Sequence, residues 1–381
     1  MGGTCESPGF MFTVAMFVLM IGPLVAVHEF GHYLMGRLFG TKVDSFSIGF
    51  GKRIASWTDK RGTVWQVAAL PLGGYVKFAG DANAAGAGSE GLDDVPEAER
   101  RHYFAFKPIW QRALIVAAGP LINFIFAILI FAGFYMTYGE RVIPPVIAEV
   151  QAESAAEDAG LRPGDRLLEW NGRELSSWAE LTGEVRLNPG VPAELTLERD
   201  GRTLTQSVTP KVQEMADPFG NSGQMGLLGV LPEQEVVTRS VGPFTAVWLG
   251  VEETGRTVRS MVDLLGYLLT GQRSVKDLGG PLKIGKISGE VATLGPPAFI
   301  GFMALISINL GFINLLPIPM LDGGHLALYA AEAIRGRPLP EQAQQWAFMA
   351  GFALVVTFMF VVTVNDLASF GVWQQAARLF G

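Results

Sequence analysis

The chain has 381 residues, of which 49% are hydrophobic and 17% charged, and its formal net charge is -7. Ordinary soluble domains carry about 25% charged residues, so this composition predicts a membrane protein with additional aqueous parts. The acidic balance excludes nucleic acid as a partner, because phosphate binding needs a basic surface. A single cysteine, Cys5, excludes an internal disulfide framework and a zinc cluster built from thiolates.

The first apolar run, residues 9–27, contains no ionisable side chain and is about as long as a helix that crosses a bilayer. Glu6 precedes the run, whereas Arg37 and Lys42 follow it, and these flanks differ from those of a cleaved signal peptide. We therefore expect the segment to be retained as a membrane span. By the positive-inside rule, the amino terminus lies outside and the stretch after Phe39 lies in the cytoplasm.

A metal-binding motif, His28-Glu29-Phe30-Gly31-His32, stands at the end of this run. Positions i and i+4 share one face of a helix, so His28 and His32 can offer two imidazole nitrogens to one metal, with Glu29 beside it. Such a triplet also arises by chance in soluble helices. Its position in a membrane span favours a metal site, because polar groups there are costly unless they have a partner.

Three further apolar segments predict membrane spans at residues 113–138, 297–316 and 348–364. Four crossings return both termini to the outside. The short connection between the third and fourth spans carries Arg335 and Arg337, so the charge rule places it in the cytoplasm.

A second polar element follows the third span, where the chain runs from Asn314 through Pro317 and Pro319 to Asp322. Two prolines spaced by one residue cannot continue a regular helix, so the backbone opens and Asp322 can turn inward. A catalytic zinc takes three protein ligands and keeps one open position, which makes Asp322 the candidate third ligand. The alternative is that Asp322 only caps the next helix. Spans one and three run in the same direction, which brings both motifs to one membrane depth.

The segments HEFGH and NLLPIPMLDGGH resemble the site-2 protease family, peptidase family M50, of intramembrane zinc metalloproteases. FSIGFGK, PLGGYVKF, AAGPLINF and LGGPLKIGK resemble its branch of bacterial regulator-of-sigma-E proteases. The resemblance implies that His28, His32 and Asp322 bind Zn²⁺ and that Glu29 is the catalytic base. It also implies a single-span membrane protein as substrate, such as an anti-sigma factor already trimmed outside by another protease.

The chemistry also follows from the residues themselves. Zinc lowers the pKa of its bound water, and Glu29 can accept a proton as the water attacks a peptide carbonyl and return it to the leaving amine. Asn314 is the candidate donor to the developing oxyanion, and a hydrogen bond between two helices is its alternative role. We expect His325 to support the structure rather than to bind the metal.

Between spans two and three, residues 140–235 resemble a single PDZ domain, with a helix, a Pro-Gly-Asp turn, a strand and an Asn171-Gly172 hairpin turn. A second helix starts near Ser177, and strands at 193–198 and 203–209 flank the Asp200-Gly201 turn. Such a domain can bind an extended peptide in a groove or can act as a filter that limits access. The resembling branch has two tandem PDZ domains, so filtering by a pair is not implied here.

On the predicted cytoplasmic side, residues 43–50 and 64–78 have strand-like patterns interrupted by glycine and proline. This sheet either offers an edge to an unfolded substrate segment or is only structural. Residues 82–101 have the composition of a flexible linker, and residues 241–270 predict amphipathic helices on the outer surface.

The sequence thus predicts a polytopic α-helical membrane protein of about four spans, with a cytoplasmic-side β-sheet and one periplasmic PDZ domain, in a bacterial inner membrane. The predicted segments are 9–39 (span one), 40–108 (cytoplasmic loop and sheet), 109–138 (span two), 140–235 (PDZ), 236–295 (amphipathic region), 296–325 (span three), 326–345 (cytoplasmic loop), 346–368 (span four) and 369–381 (tail). A transporter could also hold Asp322 and Asn314 at membrane depth, but it would not explain the histidine spacing. A scaffold without activity is disfavoured because every expected catalytic group is present.

Overall fold

The computed structural model of the chain describes residues 8–80, 95–216, 222–233, 235–270 and 279–370. Cys5 and most of the predicted linker at 82–101 lie outside these residues. The chain divides into two compact units: unit 1 comprises residues 1–133 and 244–381, and unit 2 comprises residues 134–243.

The helices are α1 (Phe10–Leu38), α2 (Glu97–Arg100), α3 (Ile109–Tyr138), α4 (Ala155–Asp158), α5 (Trp178–Leu187), α6 (Pro243–Leu269), α7 (Pro281–Thr293), α8 (Pro296–Leu315), α9 (Asp322–Arg335) and α10 (Glu341–Ser369). The strands are β1 (Val43–Thr58), β2 (Val64–Phe78), β3 (Glu140–Val142), β4 (Ile147–Val150), β5 (Arg166–Trp170), β6 (Arg173–Glu174), β7 (Ala193–Arg199), β8 (Arg202–Val208), β9 (Lys211–Ala216), β10 (Ser222–Leu227), β11 (Val230–Pro232) and β12 (Val237–Arg239). A short 3₁₀ turn, Phe104–Phe106, precedes α3.

Four helices among the described residues are long and apolar enough to cross a membrane: Phe10–Leu38, Ile109–Tyr138, Pro296–Leu315 and Gln342–Ser369. They confirm the predicted number of candidate membrane helices. The region 296–325 is not one helix, however, because α8 ends at Leu315 and α9 begins only at Asp322. Pro317 and Pro319 lie in the break, where each lacks the N–H that a continuing helix needs. Helix α9 in turn occupies the first half of the predicted loop 326–345, and α10 begins at Glu341.

Helices α1, α3 and α8 form the core of unit 1. Met20 and Leu24 of α1 are fully buried against Phe299 of α8. Gly31 of α1 lies against the backbone carbonyl of Ala118 on α3, and a Cβ there would overlap that oxygen. The absence of a side chain therefore lets the two backbones approach closely, as small residues do between membrane helices.

Strands β1 and β2 form a long irregular hairpin in which residues 45–48 of β1 pair with residues 64–67 of β2 and also with residues 74–77. The sheet packs against the end of α1 through a buried cluster that includes Tyr33, Phe46, Phe78 and Ile115. The ring of Phe78 lies against Gly36, also on α1. The second half of β2 is therefore held beside the helix that carries the metal-binding motif.

Unit 2 contains a four-stranded sheet in the order β6-β5-β7-β8. The turn between β5 and β6 holds Asn171 at φ 50° and Gly172 at φ 75°. A two-residue hairpin turn of type I′ requires positive φ at both of these positions. Ser177 caps α5 by accepting the N–H of Glu180. Trp170 and neighbouring leucines form the buried core. The helices, turns and strands that the sequence predicts for a PDZ domain are thus present.

Candidate metal centre

Three polar side chains from distant parts of the sequence converge in unit 1. Nε2 of His28 lies 3.3 Å from Nε2 of His32, as expected for histidines one helical turn apart. Oδ2 of Asp322, the first residue of α9, lies 3.2 Å from Nε2 of His28 and 3.5 Å from Nε2 of His32. The structure therefore brings the three predicted ligands together.

These distances fit a tetrahedral zinc ion. Zinc binds histidine nitrogen and carboxylate oxygen at about 2.0–2.2 Å, so neighbouring ligand atoms are about 3.3 Å apart. The three measured separations of 3.2, 3.3 and 3.5 Å agree with that value. Oδ2 of Asp322 is buried, and despite its closeness to the imidazoles it accepts no hydrogen bond of acceptable geometry from the described residues. A cation would supply the missing partner.

The hydrogen bond of His32 sets its tautomer. Nδ1 of His32 lies 2.9 Å from the backbone oxygen of Ile115 on α3. A carbonyl oxygen can only accept, so Nδ1 carries the proton and Nε2 presents its lone pair to the cluster. This arrangement, in which the outer nitrogen donates to the protein, is the one that metal-binding histidines use.

His28 is oriented by Asn123 of α3, whose side-chain amide is fully buried and lies 3.0 Å from Nδ1 of His28. In the orientation with Nδ2 toward the ring, Oδ1 of Asn123 has no hydrogen-bond partner among the described residues. Turning the amide over would let Oδ1 accept from Nδ1–H, which satisfies the oxygen and frees Nε2 of His28 for a metal. Sequence reasoning assigned Asn123 no role at the site.

Asp322 does not act as a cap. Leu321 occupies the N-cap position of α9, and no side-chain cap hydrogen bond is present there. The carboxylate of Asp322 points to the histidines instead, so the structure does not support the capping alternative.

A cavity of about 260 Å³ opens onto the cluster. It is lined by every predicted site residue: His28, Glu29, His32, Asn314 and Asp322. The side chain of Asn314 makes no hydrogen bond with another described residue, which argues against its alternative role of joining two helices. His325 also lines the cavity and packs against Tyr329 and Phe348, at ring-centroid distances of 6.4 and 5.1 Å. It is not one of the three clustered ligand groups.

The second half of β2 forms one wall of this cavity through Gly74, Tyr75 and Val76. The backbone N–H of Val76 interacts with the carboxylate of Glu29. Within the described residues, 74–77 pair only with β1, so the opposite edge of this segment has no strand beside it. An extended peptide could pair with that edge.

The comparison with protein families agrees with this geometry. The model of "Peptidase family M50" matches residues 16–358. The chain therefore belongs to peptidase family M50, and it is a zinc metalloprotease.

Curated relatives carry the same activity in their names. A protein of Agrobacterium fabrum named "Putative zinc metalloprotease Atu1380" is 44% identical over 360 residues, which cover 93% of this chain and 96% of the relative. "Metalloprotease MmpA" of Caulobacter vibrioides is 37% identical over 395 aligned positions, which cover 98% of this chain and 99% of the relative. Among solved structures, the PDZ domain of the SdrC-like protein from Listeria monocytogenes matches 23% of this chain and 84% of that domain, with 17% identity and a TM-score of 0.18.

Proposed function

We propose that this chain is an intramembrane endopeptidase that hydrolyses a peptide bond within the membrane-spanning segment of a single-span protein. The position of the metal cluster carries this proposal. Two of its side chains belong to α1 and the third follows α8, and both helices are long and apolar enough to cross a membrane. Polar groups at such a depth are costly and mark function, so the substrate bond has to reach the same depth.

In this proposal His28, His32 and Asp322 hold the zinc ion, which when bound lowers the pKa of a water molecule and polarises the substrate carbonyl. The carboxylate of Glu29 lines the same cavity. It accepts a proton from the attacking water and passes it to the nitrogen of the leaving amine. The water oxygen becomes part of the new carboxyl group, and the peptide bond is broken.

Asn314 stabilises the negative charge that develops on the carbonyl oxygen. Its side chain lines the cavity, and its amide group can donate a hydrogen bond without losing a partner among the described residues. The hydrogen bond from a donor that is already in position becomes stronger as negative charge develops on the carbonyl oxygen. It therefore lowers the activation barrier of the reaction rather than tightening the binding of the substrate.

The substrate binds in extended form along residues 74–77 of β2. A helical peptide bond in lipid is shielded by its own hydrogen bonds, so cleavage requires local unwinding. Unwinding frees backbone groups, and residues 74–77 of β2, which have no second strand beside them among the described residues, offer partners for these groups close to Glu29. This favours an active role for the sheet over a purely structural one.

An anti-sigma factor shortened by an earlier cleavage is the proposed substrate, in the inner membrane of a bacterium. The basic residues Arg37, Lys42, Lys52 and Arg53 follow the first span, which supports a cytoplasmic location for β1 and a periplasmic one for unit 2. Unit 2 would act there as a PDZ domain, either by binding an extended peptide or by limiting which proteins approach.

The test uses the purified full chain in lipid nanodiscs with a tagged single-span anti-sigma segment and locates the cut by mass spectrometry. We expect Glu29→Gln to keep zinc but abolish cleavage, and Asp322→Asn to lose zinc. Glu97→Gln, which alters an exposed carboxylate on α2, is the matched control and should behave as wild type.

Wild-type cleavage by Glu29→Gln would overturn the assignment of the base, and full zinc content in Asp322→Asn would overturn the ligand set. A cut that falls only outside the membrane-spanning segment of the substrate would overturn the intramembrane site.

A further inference from the structure

A partly buried ion pair joins α3 to α9 near the candidate metal centre. Nη2 of Arg112, in the first turn of α3, lies 3.1 Å from Oε2 of Glu332 on α9. Glu332 is only 5% exposed, and its other oxygen accepts the backbone N–H of Leu339 at 3.2 Å. Both oxygens of this carboxylate are therefore engaged, one by α3 and one by the segment between α9 and α10.

Arg112 makes a second contact with α9. Its guanidinium lies over the ring of Tyr329, 4.7 Å from the ring centroid, within the range of a cation–π interaction. Tyr329 also lines the cavity that contains the metal cluster. The side chain of Arg112 on α3 thus contacts both Tyr329 and Glu332, which are three positions apart on α9.

These contacts lie on the same side of α9 as the metal ligand. Asp322, His325, Tyr329 and Glu332 are separated by three, four and three positions, which places them on one stripe of a helix. The first three line the cavity. A turn of α9 by one residue would rotate the stripe by about 100° and carry Asp322 away from the histidines.

Helices α8 and α9 are not one continuous helix that would by itself fix this rotation. Residues 316–321 separate α8 from α9, and Pro317 and Pro319 interrupt the hydrogen bonding that would make the two helices one rigid rod. Gly323 and Gly324 pack closely on the backbone of residues 315–318, and contacts further along α9 add to what sets the direction in which Asp322 points.

We infer that Arg112 is a positioning residue, which with Glu332 and Tyr329 holds α9 in the rotation that directs Asp322 to His28 and His32. The inference rests on the proposed role of Asp322 as a metal ligand. An arginine in the first turn of a helix faces the positive end of the helix dipole, so a paired carboxylate is needed to hold it there.

The experiment compares Arg112→Gln, Glu332→Gln, Arg112→Lys and the exchanged pair Arg112→Glu/Glu332→Arg in the full chain. Zinc affinity is measured by competition with a chelator, and the absorption spectrum of the Co²⁺-loaded protein reports the ligand geometry. We expect the two glutamine variants to lose about 10- to 100-fold in zinc affinity, as when outer partners of metal ligands are removed. Arg256→Gln, which breaks the exposed ion pair with Glu253 on α6, is the control. It should change neither the zinc affinity nor the Co²⁺ spectrum.

A second measurement, the distance between two spin labels, does not depend on the metal. Spin labels at Leu38→Cys on α1 and Ile334→Cys on α9, both exposed, are introduced in a Cys5→Ser background, and the distance between them is measured. We expect a shifted or broader distribution in Arg112→Gln, and a return toward the wild-type distance and zinc affinity in the exchanged pair. Arg112→Lys keeps the positive charge but not the planar guanidinium over Tyr329. Its zinc affinity and label distance should lie between those of wild type and Arg112→Gln.

Wild-type zinc affinity and label distance in Arg112→Gln would overturn the inference. If that variant does not fold, the exchanged pair decides, because its failure to recover zinc affinity would overturn the inference and its recovery would support it. If Asp322→Asn retains zinc, the ligand proposal fails, and the label distances still decide whether the pair sets the rotation of α9.

Discussion

Gly119 of α3 packs directly against the imidazole of His32 on α1, so closely that a Cβ at position 119 would overlap the ring. Four residues earlier, the carbonyl oxygen of Ile115 accepts a hydrogen bond from Nδ1–H of the same ring. Helix α3 therefore fixes both the position and the tautomer of His32 although it carries none of the three clustered groups. Three helices, α1, α3 and α9, therefore build the candidate metal centre.

Substituting Gly119→Ala should displace the His32 ring and lower zinc affinity by at least about 10-fold, the scale seen when support of a metal ligand is lost. Zinc affinity in chelator competition is the measurement. Gly133→Ala on the same helix is the matched control, because a Cβ there meets nothing within 4 Å. Equal zinc affinity in the two variants would show that α3 does not position His32.

Asn123 should orient His28 through its buried amide. Asn123→Leu removes the acceptor for Nδ1–H and keeps the branching and number of side-chain heavy atoms, so we expect about a 10- to 100-fold loss of zinc affinity. Asn123→Asp keeps an oxygen acceptor and should retain most of the affinity. A leucine variant that binds zinc as tightly as wild type would exclude this role of Asn123.

The sequence indicated the three side chains that cluster in the structure because their signals are local. His28 and His32 are one helical turn apart in an apolar run, and Asp322 follows two prolines that forbid a continuous helix. The four candidate membrane helices were predictable for a similar reason, since length and apolarity are read directly from the chain.

The supporting residues were not predictable, because their roles depend on how helices pack. Asn123 meets His28 across 95 positions, and Arg112 meets Glu332 across 220. Which residue of α3 faces a given histidine follows from the register of α3 on α1, which close contacts such as that of Gly31 with Ala118 determine. No periodicity in a single segment encodes that register.

The backbone of β2 should contribute to catalysis through the N–H of Val76, which interacts with the carboxylate of Glu29. Val76→Pro removes this N–H and should lower kcat/KM by about 10-fold while leaving zinc affinity unchanged, because proline has no backbone donor. Val76→Ala is the matched control, since it shortens the side chain and keeps the donor. Equal activity of the two variants would mean that the N–H is not used.

The stability of unit 2 should depend on the ion pair between Arg199 and Asp165. Both nitrogens Nε and Nη2 of Arg199 donate to the Asp165 carboxylate at 2.7 Å, and Asp165 is fully buried. This hydrogen bonding raises the pKa of Arg199 above its ordinary value. Removing Arg199 leaves the buried Asp165 carboxylate without its ion partner, and because the Arg199 side chain is 16% exposed we expect the cost to be below the value of about 3–5 kcal/mol for a fully buried pair.

We therefore expect Arg199→Met to accelerate hydrogen exchange in the core strands of unit 2, measured by mass spectrometry on the full chain. The control is Arg173→Met, because Arg173 pairs with Glu184 on the surface with its side chain 76% exposed. Loss of such a pair costs at most about 1 kcal/mol. Exchange that is equally fast in the two variants would contradict the stabilising role of the Arg199 pair.

Helix α7 should depend on a cap supplied by another helix. Asp366 of α10 is 1% exposed, and its two oxygens accept the backbone N–H groups of Gly280 and Lys283, each at 3.0 Å. The first N–H groups of a helix have no partner within it, so this carboxylate replaces the missing acceptors. Asp366→Ala would leave two donors unsatisfied, at a cost of about 1–3 kcal/mol for each one that stays buried.

We expect faster amide exchange at the start of α7 in Asp366→Ala, while the helices that carry the metal cluster exchange as in wild type. Asp366→Asn is the matched control: it retains one oxygen acceptor but loses the negative charge that favours a helix amino terminus, so its effect should be intermediate. Unchanged exchange across α7 in the alanine variant would show that contacts with α1, rather than the cap from α10, hold this helix in place.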